Sequence, residues 1–211
     1  MLIQYGGLCT MLDYTKELIY KQKTEVNKIH MAPYNAICIK GTGNPNQPLF
    51  SEKVAALYKV AYLLKMAPRK GIVIPAYEDY KVFPLEGIWD LTAIGKQKMT
   101  FQKSDFVYTL MIRQPDFITK AIFDMVLSFH QKTLNENTNE VYFEEINEGS
   151  VIQILHIGSY DEEFRSFDVL KTYLSENHLS RRTLVHKEIY LSDARKTDPN
   201  KQKTILRYYI F

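Results

Sequence analysis

Cysteine is nearly missing from this chain: Cys9 and Cys38 are the only two in 211 residues. Two thiols build neither a disulfide framework nor a cysteine-rich zinc site, so a reduced, cytoplasmic setting is expected. Long apolar runs are missing too. No stretch approaches the roughly 18 residues that a membrane-spanning helix requires. The opening MLIQYGGLCT lacks the basic segment and the apolar stretch of a secretory signal, and residues 1–10 are given no role. Charge of one sign is not concentrated: 27 Lys and Arg stand against 24 Asp and Glu, interspersed, with a net charge of +3. That balance argues against an extended nucleic-acid footprint. The glycine-containing run GTGNPN (41–46) has neither the Lys-Ser/Thr of a phosphate loop nor GxGxxG spacing. It is expected to be a strand-to-helix turn. No set of His, Cys and acids falls at ligand spacing, so no metal and no cofactor are expected.

What the chain has in plenty is tyrosine. Tyr 15, Phe 11 and Trp 1 give an aromatic share of 13% within an ordinary globular balance of 45% hydrophobic and 24% charged residues. Tyrosine suits half-buried surfaces that need an apolar body and a polar tip, pocket walls among them, although sheet and core filler accounts for most such residues.

Periodicity predicts the same series of elements twice, with an α+β fold as the result. Strands are expected over 26–31 (VNKIHM) and 35–40 (NAICIK), with a turn at Pro33 between them. A helix follows over about 49–66, where Val54, Leu57, Tyr58, Ala61 and Leu64 share one face; Pro68 ends it. Strands LEGIWDL (85–91) and DFVYTLMI (105–112) complete the first unit. The second unit repeats the order with VYFEEI (141–146), SVIQILHI (150–157), a helix over about 163–177 carrying Phe167, Leu170, Lys171 and Leu174 on one side, HKEIYLSD (186–193) and TILRYYI (204–210). A helix over about 116–132 and the polar run NENTNE join the units. Tandem β-β-α-β-β repeats of this kind, each with one sheet face under its own helix, are expected to press their other faces together. That leaves a groove along a pseudo-twofold axis, a common place for a ligand.

One strand carries an oddity. In HKEIYLSD, His186, Glu188 and Tyr190 fall on one face and Ile189 and Leu191 on the other. If the apolar face is packed, Glu188 lies in a half-buried strand, where a carboxylate costs several kcal/mol unless it is paired. The alternative is a surface glutamate on a solvated sheet.

The segments GTGNPN (41–46), LEGIW (85–89), MIRQPDF (111–117), EGSVIQILHIGSYDEE (148–163), HKEIYLSDARK (186–196) and KTILR (203–207) stand in an order that resembles the GyrI-like (gyrase-inhibitor-like) small-molecule-binding family. The resemblance runs from about Lys21 to Ile210 and is closest to stand-alone members, a subfamily that includes cyclopropanoid cyclopropyl hydrolases. It implies an N-terminal extension over 1–20 and one domain over 21–211, with repeat one at about 24–113, a linker helix at about 116–132 and repeat two at about 140–211. It implies a central cleft, drug sensing in some relatives, and in the hydrolases an aromatic cage that adds water to the strained ring of DNA-alkylating compounds. Two departures stand out: the subfamily tends toward HHEIYLSDPRK, and this chain has Lys187 and Ala194. Alternation turns Lys187 away from the cleft, whereas Ala194 removes a turn-fixing proline.

On this resemblance Glu188 is the candidate catalytic residue, holding and deprotonating a water or meeting a cationic ligand group. Tyr190 is expected to stack on a planar ligand or donate to its carbonyl. Aligning Trp89 with Tyr190 puts Gly87 opposite Glu188, so that one half supplies the acid and the other the space. Aligning Glu86 with Glu188 instead sends Trp89 toward the helix layer, and the first register is preferred because flat ligands need aromatic walls and a bare backbone patch. Tyr108 shares a face with Phe106 and Leu110, and either face of that strand is eligible for the cleft. Tyr160, at the strand-to-helix turn, is expected to close one end, and His186 to line the start of the strand as a hydrogen-bonded histidine. Asp161, Glu162 and Glu163 are expected to complement the helix dipole, and Arg113 to form a structural ion pair. The loop 69–84, with Tyr77 and Tyr80, is a candidate lid.

Two functions stay open. One is cofactor-independent hydrolysis of planar, cationic or electrophilic xenobiotics. The other is a non-catalytic sequestering or sensor module; no helix-turn-helix region precedes the first repeat, which disfavours a transcription regulator acting by itself. Inhibition of a protein target is suggested by the family name alone. The partner expected is a small molecule, with no nucleic acid and no membrane.

Overall fold

The computed structural model describes residues 11–211; Cys9 and the expectations for residues 1–10 lie outside the described residues. The chain forms one eight-stranded antiparallel sheet and four α-helices. In chain order these are β1 (Asn27–Met31), β2 (Tyr34–Thr42), α1 (Pro48–Met66), β3 (Leu85–Leu91), β4 (Phe106–Arg113), α2 (Lys120–His130), α3 (Glu136–Asn139), β5 (Tyr142–Ile146), β6 (Gly149–Ile157), α4 (Glu163–Glu176), β7 (Arg181–Tyr190) and β8 (Lys203–Ile210). The spatial order β1-β6-β8-β7-β3-β4-β2-β5 is the same from either end once the two units are exchanged.

The local physics of the elements is plain. Proline at the first position of α1 sets φ for the helix without forfeiting an internal hydrogen bond. Pro68 does not end the chain's turning outright: a short 3-10 turn carries on over Ala67–Lys70 and closes at Gly71, whose φ of 82° suits glycine. The polar run NENTNE contains the short helix α3, because Asn135 and Thr138 cap each other reciprocally. Leu57, Val60 and Leu64 of α1 are fully buried on the sheet, each contributing about 1.5–3 kcal/mol of transfer free energy.

Two departures from expectation decide where the site lies. The units join edge to edge through β3 and β7, from Glu86↔Ile189 to Trp89↔His186, rather than face to face. Two-residue connections (Ala32-Pro33 and Asn147-Glu148) then send β1 and β2, and β5 and β6, to opposite ends of the strand order. Connections that short force the sheet to curl until its ends approach. The faces without helices therefore turn inward and fill with side chains, and the opposite face carries α1 and α4.

The inward face holds a charge cluster. Lys187 is fully buried and bonds Glu148 Oε1 at 2.5 Å, Tyr34 Oη at 2.6 Å and the Glu86 carboxylate. Arg207 donates to Glu148 Oε2 at 2.6 Å and to Gln153 Oε1. Tyr20, in the segment preceding β1, donates to Glu86 Oε1 at 2.9 Å. Burial alone would raise the Glu148 carboxyl, but Lys187 and Arg207 outweigh it and hold it below the usual range. Two cations and two carboxylates cancel. Arg113, as expected, pairs with Glu17 at 2.7 Å. The candidate lid loop is anchored to the core through its tyrosines, since Tyr80 is buried and Tyr77 packs on Tyr80 and Phe117, while residues such as Val73 stay exposed.

Candidate functional site

β7 alternates as its sequence predicts: Lys187 and Ile189 point to the inward face, and His186, Glu188 and Tyr190 to the helix face. Glu188 is 8% exposed and thus out of bulk solvent. Tyr190 Oη donates to Glu188 Oε2 at 2.7 Å, and His186 Nε2, in the tautomer that carries its proton there, donates to Oε1 at 2.9 Å. Trp89 Nε1 donates to Tyr190 Oη at 2.9 Å. A single chain of hydrogen bonds thus crosses the junction from β3 to β7. Burial and then the Glu188 charge push the Tyr190 hydroxyl well above its ordinary pKa, so it stays a donor at neutral pH.

Gly87 pairs directly with Glu188. A Cβ there would lie 2.8 Å from Trp89 Nε1 and 3.2 Å from Tyr190 Oη. The missing side chain is what lets the indole and the phenol meet over the backbone.

Aromatic rings surround this chain of bonds. Trp89 stacks on Phe50 of α1 at 5.9 Å, meets Phe106 edge-on at 5.4 Å and leans on Tyr108 at 5.2 Å. Tyr108 is buried against Gly41 and on the same face as Trp89, which settles which side of β4 faces the site. Tyr160 is 40% exposed and meets Tyr190 edge-on at 5.8 Å. Phe167 of α4 meets His186 at 4.8 Å. The walls close on each other: depressions of about 370 Å³ beside Val26, Asp168 and Tyr173 and about 410 Å³ beside Tyr14, Tyr20 and Lys81 lie elsewhere. Across the rim, Lys103, just before β4, pairs with Asp161, just before α4, at 3.1 Å.

Glu163 is the residue that sequence reasoning misplaced. It opens α4, as its acidic neighbours suggest, but its carboxyl is not turned to the dipole and solvent. It is 7% exposed and its carboxyl lies beside that of Glu188. Burial first, and then the Glu188 charge, push it far above the carboxylate range. Its neighbours behave differently, since Asp161 pairs with Lys103 and Glu162 with Arg165. A signal was present: Glu163, Phe167, Leu170 and Leu174 recur at the spacing of one helical face, so the acid is in phase with the buried stripe.

The family model of the GyrI-like small molecule binding domain matches residues 24–210. The chain belongs to this family. Similar solved structures include an uncharacterized conserved protein from Listeria innocua, at 30% identity and TM-score 0.85, and a hydrolase from the same organism, at 28% identity and TM-score 0.84. Each alignment covers 95% of this chain and 100% of the other. The C-terminal domain of EcmrR shares the fold at 10% identity and TM-score 0.52, covering 89% of this chain and 97% of that one. No curated protein matches the chain. The GyrI-like domain is therefore a small-molecule-binding module, and among its described residues no helix is long and apolar enough to cross a membrane.

Proposed function

We propose that this GyrI-like protein binds flat aromatic xenobiotics in the cytoplasm, at the ring-walled site around Glu188, and adds water to a strained, activated carbon such as the cyclopropane of a DNA-alkylating compound. The observation that carries the reading is an acid held out of solvent among aromatic rings, with donors on both its oxygens. The similar Listeria innocua hydrolase supports water addition as the reaction class. No metal or cofactor enters the scheme.

The half-exposed Tyr160 is the ring a ligand meets first, and Trp89 and Tyr190 are the ones it reaches on displacing Phe50. Stacking and cation–π contacts of about 0.5–2 kcal/mol each give micromolar binding from a few rings. Glu188 supplies the negative charge that orients the attacking water and balances the proton it gives up. The oxygen of that water bonds to the ring carbon, the strained C–C bond breaks, and its electron pair passes into the conjugated carbonyl, which Tyr190 polarises once the ligand draws its hydroxyl away from Glu188. Incubation with a cyclopropane-fused dienone, followed by mass spectrometry, should show a product heavier by one water; an unchanged compound overturns the reaction.

A second reading, a binding module that sequesters such compounds for xenobiotic resistance without changing them, is favoured by one feature. Both Glu188 oxygens are already engaged, as suits a fixed charge more than a base. Tight binding without a mass change would select it.

A further inference from the structure

We propose that Glu163 and Glu188 act as one proton-sharing carboxyl pair, with Glu163 as the group that takes the proton from the attacking water and Glu188 as the residue that positions and charges it. The inference rests on the hydration reading above and names the acid–base partner of that site.

Three observations lead there. Glu188 receives two donors, His186 on one oxygen and Tyr190 on the other, so half of its acceptor positions are taken. Glu163 Oε1 is buried and receives no donor among the described residues, although Glu163 is only 7% exposed. A buried carboxylate oxygen with no donor beside another carboxylate is costly; a proton shared between the two removes both penalties. The third observation is on β8. Thr204, paired with Tyr190 and His156 on the same face, has a buried hydroxyl that also lacks a partner. Two buried polar atoms on the helix side of the sheet thus lack a partner among the described residues, and a water, which the reaction needs, is the guest that would satisfy them.

The groups facing the pair come from several elements. β7 contributes His186 and Tyr190, and the turn before α4 contributes Tyr160 and Asp161, the latter paired with Lys103. β6 contributes His156, which is held by Ser166 at 3.0 Å and by the Ser159 carbonyl at 3.1 Å. No Lys or Arg bonds either carboxyl among the described residues. A singly protonated pair is the state this environment favours, as for two acids sharing a site.

The proton count closes. As water attacks, its O–H bond breaks, its proton goes to the Glu163 carboxyl, and the shared proton moves fully onto Glu188. The C–O bond forms, and the electron pair of the broken C–C bond ends on the carbonyl oxygen of the substrate. That oxygen then recovers a proton from the pair, restoring the starting state.

The test combines a spectrum with kinetics. Infrared spectra of the unliganded protein at neutral pH should show a protonated carboxyl band that Glu163→Gln removes. In Glu188→Gln the band should persist through burial but titrate away at lower pH, because the neighbouring charge is gone. With a cyclopropane-fused dienone as probe, Glu163→Gln should lower kcat by about 100-fold or more, while Trp89 fluorescence reports unchanged affinity. Wild-type protein that leaves the dienone intact overturns the hydration reading, and the proton-transfer role with it; the infrared band still decides the pairing. An active wild type with Glu163→Gln within threefold of it, or a spectrum with no carboxyl band lost in that variant, overturns the pair alone.

Discussion

The two faces of β7 make the most instructive comparison in the molecule. Lys187 and Glu188 are adjacent, both buried, and charged, yet they sit in opposite electrostatic settings. On the inward face, Lys187 and Arg207 meet Glu86 and Glu148, each charge has a partner, and the sum is zero. On the helix face two acids meet with donors but no bonded Lys or Arg. Buried charge that is cancelled is architecture, here fastening the curl of the sheet. Buried charge left uncancelled shifts a pKa, and it is there that the proposed chemistry is placed.

The largest effect that breaks the comparison is expected on the cancelled face. Lys187→Met leaves Glu86 and Glu148 short of a cation and should cost about 3–5 kcal/mol, read as a lower midpoint in urea unfolding. A change below 1 kcal/mol would mean the cluster is not the fastening described. On the other face, Tyr190→Phe removes the donor to Glu188 and the acceptor for Trp89 together, at about 1–3 kcal/mol, and should shift the fluorescence of the single tryptophan. Gly87→Ala drives a methyl into Trp89 Nε1 and Tyr190 Oη. It should cost about 1–3 kcal/mol by overpacking and perturb the same emission, whereas Gly43→Ala, facing open space at φ 97°, strains only a loop.

The smallest effect has the opposite sign. The Glu163 carboxyl is raised in the folded state above its ordinary 4.5. Its contribution to stability is therefore fully present below pH 4.5 and is lost as pH rises toward the folded value. Glu163→Gln should leave stability unchanged at pH 4 and raise it at pH 8 by about 1–2 kcal/mol, measured as a rise in melting temperature. A loss at pH 8 would show that the ionised side chain is held favourably after all.

Much of this was legible in residues alone, for identifiable reasons. Strand β3 falls where LEGIWDL predicts, because its ends are marked by Pro84 and by the polar loop after it. The alternation in HKEIYLSD places Glu188, Tyr190 and His186 together, since a period of two leaves no freedom once one face is packed. The strand is longer than predicted, starting at Arg181, because a register shift between Arg181 and His186 breaks its pairing with β8 and blurs the pattern. The curl was not legible: which edge meets which depends on pairings between distant residues, and the two-residue crossings look like ordinary hairpin turns. Alternation correctly parted Lys187 from Glu188, but Lys187 lies on the helix-free face that was expected to hold the groove, and its full burial among Glu86, Glu148 and Tyr34 depends on that curl. Glu163 was legible in its phase with Phe167 and Leu170, but a sufficient explanation from the helix dipole hid it.

The most direct test of the account follows Glu188→Gln beside the wild type, with a cyclopropane-fused dienone, recording product mass and tryptophan fluorescence together. The account predicts a product heavier by one water from the wild type, at least 100-fold slower formation in the variant, and binding retained in both. Equal turnover in the two proteins, or no binding in either, would contradict it.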